Sequence, residues 1–123
     1  MNSFLHAEPR DQVMLVRIES SRLTADVAHR IFAEVLQTMS GAPALLLDFR
    51  SVEFMDSTAI GELVLLGKKL RADGTAYAIA GLKPPLMSLI AMMRLDQIMH
   101  FSENVDSALE WLNQSLAMGT RNP

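Results

Sequence analysis

Phe54-Met55-Asp56-Ser57-Thr58-Ala59-Ile60-Gly61 puts an acid and two hydroxyls where an apolar strand gives way to a helix. A helix start leaves backbone N–H groups unpaired and carries partial positive charge. The junction can therefore be capped by Asp56 or Ser57, or it can hold a phosphate placed on the serine. A structural and a switching reading rest on the same residues. Upstream, Ala44-Leu45-Leu46-Leu47-Asp48-Phe49 is a short continuous apolar run, the pattern of a central strand covered on both faces. Downstream, residues 58–72 read as a helix with Ile60, Leu63, Val64, Gly67 and Leu70 inward and Glu62, Lys68, Lys69 and Arg71 outward, ended by Asp73-Gly74.

Working outward, residues 3–7 and 12–19 read as two strands of an opening hairpin around Glu8-Pro9-Arg10-Asp11. Val27, Ala28, Ile31, Phe32, Val35, Leu36 and Met39 recur at three- and four-residue spacing, predicting an amphipathic helix over 25–39 with Thr24 as its cap. Residues 75–80 are a further strand. Pro84-Pro85 opens a helix carrying Leu86, Leu89, Ile90 and Met93, since proline fits the first helical turn. Met99-His100-Phe101 is a short last strand. Ser102-Glu103-Asn104 precedes a final helix with Val105, Ala108, Leu109, Leu112 and Leu116 on one stripe. This order calls for an α/β fold: a mostly parallel, mixed sheet of about five strands with an N-terminal hairpin and four helices. Residues 1–118 read as one domain and 119–123 as a frayed, disordered tail.

The bulk properties agree. A chain of 123 residues, half hydrophobic and 20% charged, has the size and composition of one packed domain. The formal charge of -3 gives no electropositive footprint, so nucleic acid is not an expected partner. The absence of cysteine excludes disulfides, thiolate catalysis and cysteine-ligated zinc, and suits a reducing cytosol. No secretion signal is visible, and the longest apolar windows fall far short of the roughly 20 residues that span a bilayer. A soluble, cytoplasmic chain without direct membrane insertion is expected.

The strand Leu45-Leu46-Leu47-Asp48-Phe49, followed by Val52-Glu53-Phe54-Met55-Asp56-Ser57-Thr58-Ala59-Ile60-Gly61, resembles the STAS domain of the bacterial anti-sigma factor antagonist family. Gly81-Leu82-Lys83-Pro84-Pro85-Leu86 and Leu95-Asp96-Gln97-Ile98 resemble that family's third helix and its exit. The likeness covers nearly the whole chain. It implies a STAS-like fold and a non-enzymatic protein that works by partner switching. A partner that is both anti-sigma factor and serine kinase phosphorylates the serine after the aspartate, here Ser57, and a cognate phosphatase restores it. Thr58 is the fallback acceptor. Asp56, Ser57, Thr58, Ile60 and Glu62 would form the partner-binding surface, and a homodimer is compatible with the resemblance. The chain departs from the family pattern in Ala59, where glycine is common, and in Ser21-Arg22-Leu23-Thr24, which lacks an acid found in that loop.

Other readings compete. A constitutive STAS scaffold, docked on a membrane transporter or a signalling complex without phosphorylation, would need Asp56 and Ser57 only as caps. Asp48 could be the phosphoacceptor of a response-regulator receiver, but Val13 to Ile18 ends without the acidic pair that holds magnesium, leaving Asp48 a loop-facing polar residue. His6, His29 and His100 show no ligand spacing, so no metal is assigned, and no cofactor signature is present. Of Met87, Met92, Met93 and Met99, only Met92 is a surface candidate, and Trp111 reads as packing.

Overall fold

The computed structural model describes residues 4–119. A five-stranded mixed sheet has the spatial order β1-β2-β4-β6-β7, built from β1 (Leu5–Arg10), β2 (Val13–Ile18), β4 (Ala44–Asp48), β6 (Ala76–Ala80) and β7 (Phe101–Ser102). β1 and β2 are antiparallel, and every later pairing in this sheet is parallel. The expected α/β architecture, with hairpin, central Leu45–Leu47 strand and four helices, is the one observed.

Strand alternation divides the core. Val16, Ile18, Leu45, Leu47 and Ile79 face α1 (Ala25–Gln37), α2 (Ser57–Ala72) and α3 (Pro84–Met92) in the larger cluster. Val13, Leu15, Leu46 and the small Ala44, Ala76, Ala78 and Ala80 face α4 (Val105–Ala117), which covers the opposite side alone with Ala108 and Leu112. The alanines let α4 lie close to β6, where only methyl groups project from that face of the strand.

Several local expectations change. The hairpin turn is Asp11-Gln12, with Asp11 at φ 57, so Pro9 and Arg10 belong to β1, where Pro9 opposes Met14. Proline is tolerated there because β1 is an edge strand. Two further short strands, β3 (Arg22–Leu23) and β5 (Phe54–Met55), form a parallel ladder of their own. A 3-10 turn, Leu95–Gln97, follows α3, and Met93 is its helix's C-cap at 47% exposed, not a core residue. The final strand begins two residues later than Met99, which is buried. Asp48 is no loop-facing residue. It is 1% exposed at the end of the central strand, its Oδ1 accepting from Arg50 N–H at 3.0 Å and its Oδ2 from Arg50 Nη2 at 2.9 Å. Of the tail expected over 119–123, Gly119 bonds back to the Leu116 carbonyl, and the rest lies outside the described residues.

Candidate functional site

The β3–β5 ladder aims the Asp56-Ser57 junction. Glu53 and Phe54 N–H groups donate to the Ser21 carbonyl at 2.8 and 3.1 Å, and Asp56 N–H donates to the Leu23 carbonyl at 3.2 Å. The loop before α1 and the loop before α2 are thus stitched together by backbone bonds. Arg22 lays its guanidinium over the Phe54 ring, 4.4 Å from the centroid, and Phe54 is 41% exposed. A cation and an aromatic face therefore stand in the ladder that leads directly into Ser57.

Asp56 is the N-cap of α2, in extended backbone, and its Oδ1 accepts from Ala59 N–H at 2.9 Å. Its other oxygen, Oδ2, accepts from Ala25 N–H at 2.8 Å, in the first turn of α1. One carboxylate serves two helix starts. Thr24, expected to cap α1 with its side chain, makes no such bond; its hydroxyl donates to the Asp26 carboxylate and pulls that group below the ordinary carboxylate value. The capping task that the sequence assigned to Thr24 falls to Asp56.

Ser57 is the first residue of α2 and is exposed. Since Asp56 does the capping, the Ser57 hydroxyl is left without a hydrogen-bond partner among the described residues. Thr58 beside it is exposed as well. Ala59, in place of the glycine common in the family pattern, is fully buried and adopts ordinary helical backbone, so its methyl is core packing. Glu62, half-buried one turn on, meets His29 Nδ1 at 3.2 Å and ties α2 to α1 again.

Ile60 requires correction. Expected on the partner-binding surface, it is 3% exposed and packs in the main core, because it falls on the inward stripe of α2 with Leu63, Gly67 and Leu70. Asp56, Ser57, Thr58 and Glu62 do share the α2 start. Arg22, Phe54 and Ala25 were not foreseen there; only the apolar-plus-basic pattern of the two short strands hinted at the first two.

A cavity of about 600 Å³ lies at the carboxyl ends of β2, β4 and β6, lined by Arg17, Asp48, Arg50, Lys83 and Glu103 among others. Its cations are engaged: Arg17 with Glu19, Arg50 with Asp48, and Lys83 Nζ with the Arg50 carbonyl at 2.8 Å. These bonds brace the top of the sheet. Among the described residues no helix is long and apolar enough to cross a membrane.

Four helices on a five-stranded mixed sheet define an α/β domain, and the mouth of its second helix carries an exposed, unengaged hydroxyl. Residues 5–108 match the STAS domain, and the chain belongs to that family. It is similar to the anti-sigma F factor antagonist of Paenibacillus polymyxa, at 27% identity over 111 residues, covering 89% of this chain and 94% of that protein. An anti-sigma factor antagonist from Mycobacterium paratuberculosis superposes with a TM-score of 0.78 at 23% identity, over 89% of this chain and 92% of that one. A sulfate transporter family protein from Wolinella succinogenes does so with a TM-score of 0.76 at 16% identity, over 88% and 90%. At these identities the two structures speak for the fold.

Proposed function

We propose that this chain is an anti-sigma factor antagonist that switches partners through phosphorylation of Ser57. The observation that carries the reading is that the Ser57 hydroxyl is exposed at the first position of α2 while Asp56 has taken over the capping, so modification costs the fold no bond. A phosphate there adds about −1.5 to −2 charge at neutral pH, which the helix dipole tolerates locally. A partner surface that buries a neutral Ser57 would afterwards have to desolvate that charge beside Asp56. A penalty of about 3 kcal/mol weakens binding more than a hundredfold, so the switch needs no large motion. The partners are a serine kinase that is also the anti-sigma factor, and a phosphatase, in the cytoplasm; the chain itself performs no catalysis. The docking surface comprises Asp56, Ser57, Thr58 and Glu62, with Arg22 and Phe54 added from the adjoining ladder and Ile60 left out.

The likeness to the Wolinella transporter-family protein favours one other reading, a constitutive scaffold on a membrane transporter or signalling complex in which Asp56 alone matters as a cap. Incubation with ATP and a kinase-type anti-sigma factor from the same organism, followed by phosphopeptide mapping, separates the two. The switch reading expects phosphate on Ser57, with Thr58 taking it only in Ser57→Ala. It also expects Ser57→Glu to lose the anti-sigma factor while keeping the native circular dichroism spectrum. Binding as tight in Ser57→Glu as in the parent would overturn it.

A further inference from the structure

The two edges of the main sheet are not alike. On β1, the bond from Glu19 N–H to the Phe4 carbonyl sets the alternation so that Pro9, which has no N–H, falls on the outward side, between charged Glu8 and Arg10. Pro9 thus takes one outward donor from that edge, between two charged neighbours. On β7, the His100 and Ser102 carbonyls accept from Ile79 N–H at 3.0 Å and Gly81 N–H at 3.2 Å. In a parallel ladder this turns the intervening residue around, so Phe101 directs both its N–H and its C=O away from β6. Beside this open edge runs a groove of about 610 Å³, walled by α3. Pro84, Met87, Ser88 and Ala91 lie on one helical stripe of that wall, and Phe101 and Glu103 belong to the strand side. Ser88 and Ala91 are exposed and small, so another backbone can approach closely.

We propose that this groove binds an extended peptide segment of a partner protein, added as a sixth strand against β7. The peptide would place alternate apolar side chains against Met87, Ala91 and Phe101, and a lysine or arginine against Glu103, an exposed acid at the groove's end. A helix cannot use the Phe101 backbone pair, because its own backbone groups are spent internally. A second copy of this chain fits poorly, since among the described residues its main sheet offers only the same two-residue strand or an edge interrupted by Pro9. The surface is built from α3 and β7 and does not depend on Ser57.

The test is a selection of random seven-residue displayed peptides on the full chain, counter-selected on Ala91→Trp, whose indole would fill the groove. The enriched peptide is then synthesised and titrated while backbone amide resonances are followed. Alternating apolar sequences with a flanking basic residue should enrich, and the Phe101 amide should shift and exchange more slowly. Ala91→Trp and Ser88→Glu should each weaken binding at least tenfold, and Glu103→Lys severalfold at low salt. Both wall positions are exposed, so the variants should keep the parent's thermal midpoint; if Ala91→Trp does not, Ser88→Glu alone decides. Three outcomes overturn the proposal: no enrichment over the counter-selected variant, an enriched peptide that shifts the Ser57 loop in place of Phe101, or a concentration-dependent dimer abolished by Ser88→Glu.

Discussion

The Asp56 carboxylate bonds Ala25 N–H across 31 positions of sequence while it caps its own helix, so the starts of α1 and α2 share one anion. Two positive helix ends pointing at the same site would otherwise repel, and Asp56 offsets both. Its removal should therefore cost more than an ordinary cap. Asp56→Ala is expected to lower stability by about 2 to 4 kcal/mol, a cap together with a second charge-assisted bond. Asp56→Asn keeps the cap but turns an NH2 toward one of the two donors, so it should lose about 1 kcal/mol. Urea unfolding checks this: the midpoint should fall in the order parent, Asn, Ala at constant m-value. Equal losses in the two variants would mean that the Ala25 bond contributes nothing.

Arg94 sits between α3 and the 3-10 turn at φ 60 and ψ 24, the left-handed region that glycine favours. Its exposed side chain gives no core packing in return. Relieving the backbone penalty of about 1 to 2 kcal/mol, less the extra chain entropy of glycine, leaves Arg94→Gly more stable than the parent by about 0.5 to 1 kcal/mol. Thermal unfolding should show a higher midpoint. A lower one would mean that the guanidinium makes a contribution larger than the strain.

His100 stacks flat on Trp111, with ring centroids 3.8 Å apart and planes within 3°, and its Nε2 lies 2.9 Å from Ser102 Oγ. Burial pushes the imidazole below its ordinary value. The unfolded chain titrates near pH 6.5, so between that value and the lower folded one the unfolded state holds more protons, and stability rises with pH across the window. The contribution is complete above about 6.5 and is lost as the pH falls below it. Glu8 and Asp26, both lowered from carboxylate values by their hydrogen-bond partners Arg10 and Thr24, act in a more acidic window. The urea midpoint should drop between about pH 7.5 and about pH 5.5 in the parent, and drop less in His100→Phe, which keeps the stack without the titration. Identical slopes would remove His100 from the account.

What the sequence discloses follows from the range of the forces involved. The Leu45–Leu47 run and the α1 stripe are legible because burial on two faces, or on one helical face, imposes a period of its own. The Asp56-Ser57 junction is legible because capping is local. A two-residue strand such as Arg22–Leu23 is too short to have a period, and its partner Phe54–Met55 lies 32 residues on. The Asp56 bond to Ala25 is equally remote. Pro9 reads as a turn by its own preference, and only its place on an edge makes it strand. Asp48 reads as a surface residue although its countercharge, Arg50, is only two positions on, because Gly81 at φ 80, which lies against both, comes beside them only in the folded sheet.

Gly67, in the middle of α2, is where a helix preference and a tertiary contact oppose each other. Alanine there would gain about 1 kcal/mol of helix propensity. Its methyl, however, would press on the Tyr77 hydroxyl well inside contact distance, with Tyr77 Cζ at 3.0 Å and Met99 Cε at 3.3 Å. Tyr77 is half-buried on β6 and packs against the main core, so the ring cannot swing freely into water. Crowding of this kind costs about 1 to 3 kcal/mol or more, and it should win: Gly67→Ala is expected to be less stable by about 1 to 2 kcal/mol. In a Tyr77→Phe background the nearest obstructing atom is gone, and the same substitution should cost under about 0.5 kcal/mol. The difference between the two backgrounds, read from urea midpoints, measures the contact itself. If Gly67→Ala stabilises both backgrounds equally, Tyr77 moves aside, and the glycine is then explained by neither packing nor helix geometry.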